Sequence, residues 1–461
     1  MGAREPLTAS AGGALPSFGA ECRETITLAL PLISGQVSQM LISVVDTVMV
    51  GQLGVTELGA ATLTNTVLAV PYVLSIGLLS SISVRVSQAR GAGRPGDAAD
   101  ALRHGTWLAL LFALGVMAMA VAGIPLLSRL GQPPEVVAST PTYLVIVAGS
   151  FIPAMLSMAW KNHADALNKP WPAFWILFSG VLLNMFLNWL WIYGRWGFPA
   201  LGLEGAGWAT LAARCATAVA MFVWMTRSTA VRLWMPSRWW TRTTTASFAT
   251  LLAIGFPASL QLLTEVSAFA CASLLIGTLG AVPLAAHQVA ITCAATTFMV
   301  PLGVAMAITV RVGEIVGAHE YARLRRVLAS GWLYALVFMA LSMTVFLLCG
   351  EWIARQFVTD PGVVKIAAGL LIVAGFFQLV DGLQVVCAGA LRGINDVRVP
   401  AWVALLAYWG LALPGGAYLG LSAGWGAAGV WIGLAGGLTV AAAALTVRAW
   451  RRFDTPFEAT S

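Results

Sequence analysis

Charged residues are scarce in this sequence. Asp, Glu, Lys and Arg together make up 10% of its 461 residues, whereas about 25% is usual in soluble domains. Because a water-soluble domain covers its surface with polar and charged groups, that class is excluded. Residues 1–20 also lack a compact apolar core between a basic start and a small-residue site, so they do not resemble a cleavable signal peptide.

Sequence motifs for metal binding and catalysis are missing as well. The six cysteines form no CxxC pair and lie mostly in apolar segments, where a free cysteine behaves as a small hydrophobic residue. No HExxH, GxSxG or P-loop motif occurs at a predicted membrane boundary, and the four histidines lack ligand spacing. We therefore expect a protein that is not an enzyme and that needs no cofactor.

Apolar residues make up 59% of the sequence and recur in long stretches along the whole chain. A helix of about 20 residues crosses the hydrocarbon core of a bilayer, which is about 30 Å thick. The sequence therefore predicts an all-α membrane protein, embedded in the lipid bilayer. The twelve predicted transmembrane helices cover residues 25–50, 60–84, 106–128, 137–160, 171–194, 203–226, 246–276, 285–310, 329–349, 363–388, 399–420 and 427–447.

The net charge of +7 reflects basic residues that concentrate in alternate loops. If both termini are cytoplasmic, most of the 26 Lys and Arg residues fall on the cytoplasmic side, in agreement with the positive-inside rule. The basic charge therefore indicates orientation, and we expect no nucleic-acid partner. We predict a multi-pass protein of the plasma (inner) membrane with both termini cytoplasmic.

The second half of the chain repeats the first. A shift of 226 residues places Pro31 on Pro257 and Gly51 on Gly277, without a gap over about sixty residues. Each half contains six predicted spans, so both halves have the same orientation and the repeat is parallel. Parallel repeats are one plan of secondary transporters, in which the substrate site lies between the halves.

This repeat predicts two pseudo-symmetric six-helix lobes around a central cavity, in a protein that we expect to be monomeric. The linker between the lobes contains four Arg and three Trp residues, which indicates a segment at the membrane interface. The predicted segments are a cytoplasmic N-terminal segment (1–24), a first lobe (25–226), a cytoplasmic linker (227–245), a second lobe (246–450) and a cytoplasmic tail (451–461).

Three acidic residues lie well within predicted spans: Asp46, Glu265 and Asp381. A charge at membrane depth costs about 3 kcal/mol or more, so such residues usually face the protein interior. None of the three has a Lys or Arg nearby in its own span. A carboxyl group that changes between neutral and charged forms suits a cation or proton that binds and leaves. We expect Glu265 and Asp381 to hold a cation, with Na+ as the metal candidate, and Asp46 to gate through protonation.

Uncharged polar residues accompany these acids, several of them at helical spacing. We interpret nine of them as candidates for the wall of the substrate cavity. The alternative, favoured for Asn65 and Gln261, is that they join helices through hydrogen bonds. The candidates are Gln39, Asn65, Asn184, Asn188, Gln261, His287, Gln288, Gln378 and Gln384.

Several motifs resemble those of the multidrug and toxic compound extrusion (MATE) family, in particular its NorM-type branch. They are Asp46-Thr-Val-Met-Val-Gly51, Leu182-Leu-Asn-Met-Phe-Leu-Asn-Trp189, Ala285-Ala-His-Gln-Val-Ala290, Val310-Arg-Val-Gly313, Asp381-Gly-Leu-Gln-Val-Val386 and Ala390-Leu-Arg-Gly-Ile-Asn-Asp396. Their order and spacing make the resemblance specific, and it extends over about residues 25 to 450.

The resemblance implies an antiporter that exports small lipophilic organic cations and drugs against H+ or Na+, with a role in drug resistance. Alternating access of the two lobes would move the cargo. The resemblance also implies that Asp46 is the first-lobe acid linked to protonation and that Glu265 and Asp381 form the second-lobe cation site. Asn184 and Asp165 match further polar positions of the cavity or lobe base.

A flippase for lipid-linked oligosaccharides is the alternative function, because it shares this architecture but carries an anionic pyrophosphate. Such a cargo needs several basic residues in the cavity, whereas the predicted charges at membrane depth are three acids and one Arg. That residue, Arg214, has no acidic partner in its own span. It either extends to an interface or pairs with an acid elsewhere.

Overall fold

The computed structural model describes residues 15–129, 131–239 and 244–454. Within these ranges the chain forms helices and no β-strand. It contains 12 helical segments that are long and apolar enough to cross a membrane, which confirms the predicted class and number of spans. The predictions for residues 1–14, for 240–243 of the linker and for 455–461 of the tail lie outside the described residues.

Two sets of helices follow each other along the chain, and a short helix, α8 (Thr229–Arg232), lies between them. The first lobe contains α1 (Phe18–Gly51), α2 (Val55–Gly91), α3 (Pro95–Gly123), α4 (Pro134–Gly149), α5 (Phe151–Ala166), α6 (Pro170–Tyr193) and α7 (Gly202–Arg227). The second lobe contains α9 (Thr245–Gly277), α10 (Ala281–Gly317), α11 (Leu324–Phe357), α12 (Pro361–Gly393), α13 (Arg398–Leu405), α14 (Leu413–Ala417) and α15 (Gly426–Arg452).

Two of the predicted continuous spans are interrupted. The fourth span consists of α4 and α5, which are separated at Ser150. Because Pro153 has no N–H for the carbonyl of Gly149, a continuous helix would lose a hydrogen bond there. The eleventh span changes to π-helix over Leu406–Ala412 and Tyr418–Ser422. Here Pro414 removes one donor of the regular helical ladder.

The two lobes repeat each other at the beginning of their second helices. Gly54 caps α2 with φ +150° and Gly280 caps α10 with φ +119°, and both helices contain 37 residues. Residues with a side chain rarely adopt these backbone angles, so glycine is required at both caps. The two glycines are separated by the 226 residues of the sequence repeat.

The lobes pack against each other at positions that the repeat also relates. A Cβ atom on Gly77 would overlap the backbone of Ser259, and a Cβ atom on Gly303 would overlap the backbone of Ile33. Each glycine is 226 residues from the other, and so is each of its partners. The close approach therefore occurs twice, as expected for a pseudo-twofold axis.

The same exchange occurs where α2 and α10 end. A Cβ atom on Gly91 would overlap the carbonyl oxygen of Glu314, and one on Gly317 would overlap that of Gln88. An ion pair between Arg90 Nη1 and Glu314 Oε2, 3.1 Å long, joins the lobes at this level. We call this end of the bundle, at which α1 begins and α15 ends, the terminal face.

A cluster of four charged residues, which we call the interlobe clamp, closes the terminal face. Glu21 and Glu24, in the first turns of α1, contact Arg311 of α10 and Arg323, which immediately precedes α11. Arg311 Nη2 lies 2.7 Å from Glu24 Oε2, and Arg323 Nε lies 2.7 Å from Glu21 Oε1. The clamp therefore ties the beginning of the first lobe to the second lobe.

Candidate functional site

A cavity lies between the lobes. Its wall includes residues of α1, α2, α5, α6 and α7 from the first lobe and of α9, α10 and α12 from the second. Most of the wall consists of apolar and small polar side chains, but it also carries charges of both signs. The charged residues of the wall are Asp46, Lys161, Asp165, Arg214, Glu265 and Arg392.

Asp46 belongs to a polar network within the first lobe. Asn188 Nδ2 donates a hydrogen bond of 2.6 Å to Asp46 Oδ1, and a second contact of 3.3 Å joins it to Asn184 Oδ1. Asn184 Nδ2 in turn donates to Thr210 Oγ1 at 3.3 Å. Asn188 Oδ1 is buried and has no hydrogen-bond partner among the described residues. Carboxylate, amide and hydroxyl oxygens are thus gathered near one acid, and such oxygens are ligands for hard cations.

Arg214 lies in the cavity wall and does not extend to an interface. Its Nη1 donates a hydrogen bond of 2.7 Å to Ser150 Oγ, and its guanidinium carbon lies 5.9 Å from the centre of the Phe151 ring. The break between α4 and α5 therefore provides its contacts. It also interacts electrostatically with Asp46 without forming an ion pair in the described structure.

The cavity extends further toward the terminal face than the sequence analysis predicted. Lys161 and Arg392 were expected in cytoplasmic segments, but both line the cavity. The reason is that α5 and α12 continue past the predicted ends of their spans, to Ala166 and Gly393. Lys161 Nζ forms an ion pair of 2.6 Å with Asp165 Oδ2. The expectation of a single Arg among the charges of the cavity was therefore wrong.

Glu265 is the acid that the second lobe contributes to the cavity wall. Its Oε1 accepts hydrogen bonds from Gln384 Nε2 at 2.7 Å and from Gln261 Nε2 at 3.2 Å. Asp381 interacts electrostatically with Glu265, although it is not among the residues of the wall. The structure thus brings the two predicted second-lobe acids together, with Glu265 facing the cavity.

The three predicted acids share one property. Asp46, Glu265 and Asp381 are half-buried, and none of them takes part in an ion pair within the described ranges. Amide groups donate to two of them instead. An amide stabilises a carboxylate without neutralising it, so its charge remains available to a cation.

The nine uncharged candidates occupy three kinds of position. Gln39, Asn184 and Gln261 lie in the cavity wall. Asn188 and Gln384 are buried and hold the acids from behind. The other four are not among the residues of the wall: His287, Gln378, Asn65 and Gln288.

These four residues have other surroundings. His287 is fully buried between Ser273, 2.8 Å away, and Trp431, 3.0 Å away. Gln378 is buried and bonds to Ser342 at 3.0 Å. Asn65 and Gln288 are exposed. Neighbouring residues of a helix point in different directions, so depth in the membrane alone did not identify the side chains that face the cavity.

Two residues near the acids were not predicted. Thr210 supports the first-lobe network, and Tyr408 Oη donates a hydrogen bond of 3.3 Å to Gln384 Oε1 in the second lobe. Thr210 occurs in a run of small residues without a distinctive pattern. Tyr408 lies in the π-helical segment, so a regular α-helical period did not indicate its direction.

The sequence matches a protein-family model twice. The model is that of the MatE family, and it matches residues 31–190 and 257–418, which begin at the two prolines related by the repeat. The chain is 37% identical to the probable multidrug resistance protein NorM of Xylella fastidiosa over 94% of its own length and 92% of the relative. It is 35% identical to the multidrug resistance protein PmpM of Pseudomonas aeruginosa, over 93% and 91% of the two chains.

The fold is similar to solved structures. An outward-facing multidrug resistance MATE family transporter of the MOP superfamily superimposes with a TM-score of 0.87, at 20% identity, over 95% of this chain and 97% of the other. The Vibrio cholerae MATE transporter VcmN in its bent form superimposes with a TM-score of 0.85, at 22% identity, over 96% and 99%. These likenesses confirm the arrangement of twelve spans in two lobes.

Proposed function

The chain belongs to the MatE family of multidrug and toxic compound extrusion transporters, and we propose that it exports lipophilic organic cations in exchange for H+ or Na+. Family membership makes it a secondary transporter and not an enzyme. The names of its relatives support drugs as the cargo. The observation that carries the finer proposal is the interlobe cavity, in which Asp46 and Glu265 are not ion-paired in the described structure.

The proposed exchange follows from competition for negative charge. A cationic drug and the coupling ion are both attracted to the same carboxylates, so each weakens the binding of the other. A ligand shifts the equilibrium between two conformations only through a difference in its affinity for them. Aromatic residues of the wall, such as Tyr72, Phe174 and Phe178, provide ring faces for the drug cation.

Each lobe has its own candidate site for the coupling ion. In the second lobe, Glu265 and Asp381 supply carboxylate oxygens for Na+ or a proton acceptor for H+. In the first lobe, Asp46 is the acceptor, and the unpaired Asn188 Oδ1 adds an amide oxygen. An oxygen-only set of this kind suits Na+ better than a softer metal ion.

Alternating access would require the lobes to separate at the terminal face. With both termini in the cytoplasm, the closed interlobe clamp corresponds to an outward-facing state in the inner membrane. The opposite state would require Arg311 and Arg323 to leave Glu21 and Glu24, or α1 to bend. We propose that exchange of the coupling ion for the drug drives this change within one monomer.

Arg214 and Arg392 give the flippase alternative a specific observation, because both line the cavity. The two cargoes differ in charge, so a binding assay separates them. Purified protein should bind a fluorescent lipophilic cation, such as ethidium, with higher affinity than a short-chain polyprenyl phosphate. Preference for the polyprenyl phosphate would favour the flippase.

The experiment that tests the proposed function is ethidium transport in membrane vesicles that contain the overproduced protein. An imposed pH gradient and an imposed Na+ gradient are compared at zero membrane potential. We expect one of the gradients to drive accumulation in inverted vesicles and the other to have no effect. Transport that depends on neither gradient would contradict cation-coupled antiport.

A further inference from the structure

We propose that Tyr408 is a positioning residue of the second-lobe acid site, which holds the amide of Gln384 in the orientation that donates to Glu265. Where it concerns transport, this inference rests on the proposed function of Glu265 in ion coupling. The geometry that supports it involves three residues from three helical segments.

The hydrogen bonds form a short chain. Tyr408 Oη donates to Gln384 Oε1 over 3.3 Å, and Gln384 Nε2 donates to Glu265 Oε1 over 2.7 Å. A glutamine side chain has one acceptor end and one donor end, and an ionised carboxylate only accepts. Because the tyrosine hydroxyl occupies the acceptor end, the NH₂ group faces the carboxylate. The reversed amide would direct its oxygen toward Glu265 and leave the hydroxyl without an acceptor.

Burial makes this orientation costly to lose. Tyr408 is 1% exposed and Gln384 is 2% exposed, so bulk water does not replace either partner. A buried polar group that loses its partner incurs the full penalty of desolvation. The ring of Tyr408 also lies 6.2 Å from that of Phe269, which lies 5.9 Å from that of Phe377. The tyrosine is therefore fixed by packing as well as by its hydroxyl group.

The π-helical segment Leu406–Ala412 directs two consecutive residues to this site. Tyr408 contacts Gln384, and Trp409 Nε1 donates to the carbonyl oxygen of Thr264 over 3.4 Å, directly before Glu265 in the chain. π-helical insertions occur frequently at functional sites, because they change the direction of side chains within a helix. The insertion therefore has a consequence in this protein: it connects the eleventh span to both sides of the acid.

The charged and titratable groups that interact with Glu265 are Asp381 and Arg392 of α12 and Tyr408 itself. Tyr408→Phe removes one hydroxyl group and leaves the carboxylate of Asp381 and the guanidinium of Arg392 in place. A change in the titration of Glu265 in this variant is therefore attributable to the lost hydrogen bond. Tyr418→Phe is the matched control, since Tyr418 lies in the same span and is 65% exposed.

The experiment measures the infrared C=O band of the protonated Glu265 carboxyl group as a function of pH in purified, reconstituted protein. The band is assigned by subtracting the spectrum of Glu265→Gln. In Tyr408→Phe the amide is free to turn away, the ionised form loses its donor, and the band should persist to a pH about one unit higher, a tenfold change in proton affinity. Tyr418→Phe should titrate like the unmodified protein.

A double-mutant cycle tests whether Tyr408 acts through Gln384. In a Gln384→Met background, in which the amide is missing, Tyr408→Phe should cause no further shift. Gln384→Asn, whose shorter side chain does not reach both partners, provides a second background. An unshifted band in Tyr408→Phe, or equal shifts with and without the amide, would overturn the proposal.

The two proposals fail in different ways. If the band shifts as expected but ethidium efflux by Glu265→Gln equals that of the unmodified protein, the role of Glu265 in coupling is wrong and the positioning by Tyr408 remains. If efflux depends on Glu265 but the band of Tyr408→Phe does not move, the positioning is wrong and the proposed function remains.

Discussion

Asn188 of α6 donates a hydrogen bond of 2.6 Å to Asp46 of α1, and this contact lies entirely within the first lobe. The other end of α1 belongs to the interlobe clamp, where Glu21 contacts Arg311 of the second lobe. Helix α1 thus connects the first-lobe acid to the closure of the terminal face. A change in the charge of Asp46 therefore has a direct mechanical route to the interlobe contact.

Substitution of Asn188 by Leu should reveal which ion binds at Asp46. The variant removes both the amide donor and the unpaired Oδ1 oxygen. With Na+ as the coupling ion, a ligand is lost, and the Na+ concentration for half-maximal ethidium efflux should rise about tenfold. With H+, the carboxylate loses a donor, and the pH profile of efflux should move upward. Asn65→Leu is the control, because Asn65 is exposed and outside the wall. A Na+ response and a pH profile both unchanged in Asn188→Leu would refute a role for this amide.

Arg311→Gln should weaken the closure of the terminal face. Glu21 is fully buried, and removal of its partner leaves a buried charge less compensated, which typically costs about 3–5 kcal/mol. We expect a lower midpoint of thermal unfolding and greater labelling of a cysteine introduced at the terminal face. Arg85→Gln is the matched control, since the repeat relates Arg85 to Arg311 but places Ser247 and Thr250 opposite it. Equal effects of the two substitutions would show that the acids of the clamp are unimportant.

Gly91→Ala should prevent close packing of α2 against α10. The added methyl group would overlap the carbonyl oxygen of Glu314, a backbone atom that does not move by rotation of a side chain. The lobes must then separate, and efflux should fall at least tenfold. In Gly115→Ala the new Cβ has no atom within 4 Å, so this variant should keep its activity. Full efflux by Gly91→Ala would contradict the closed arrangement of the terminal face.

Much of the fold follows from patterns that the sequence shows directly. Long apolar stretches predict the spans, and identities such as Pro31 with Pro257 predict the repeat, which the two MatE matches confirm. The depth of Asp46 and Glu265 in their spans predicts that they face the interior, since lipid does not solvate a charge. Both of these acids lie in the cavity wall.

Other features depend on interactions between helices that are distant in sequence. The partner of Arg214 is Ser150, at a break that Pro153 introduces into the fourth span. The direction of Tyr408 depends on a π-helical insertion, and a period of 3.6 residues does not locate it. His287 was predicted from depth, but its two nitrogens are occupied by Ser273 and Trp431 within the second lobe.

The most direct test of the account is ion movement driven by the drug. Proteoliposomes are loaded with ethidium, and the opposing flux of H+ or Na+ is followed with an indicator as the dye leaves. We predict a counterflux for the unmodified protein that is abolished in Asp46→Asn, Glu265→Gln and Asp381→Asn, while each variant still inserts into the bilayer and binds the dye. Undiminished counterflux in all three variants would contradict the claim that the cavity acids exchange a coupling ion for the exported cation.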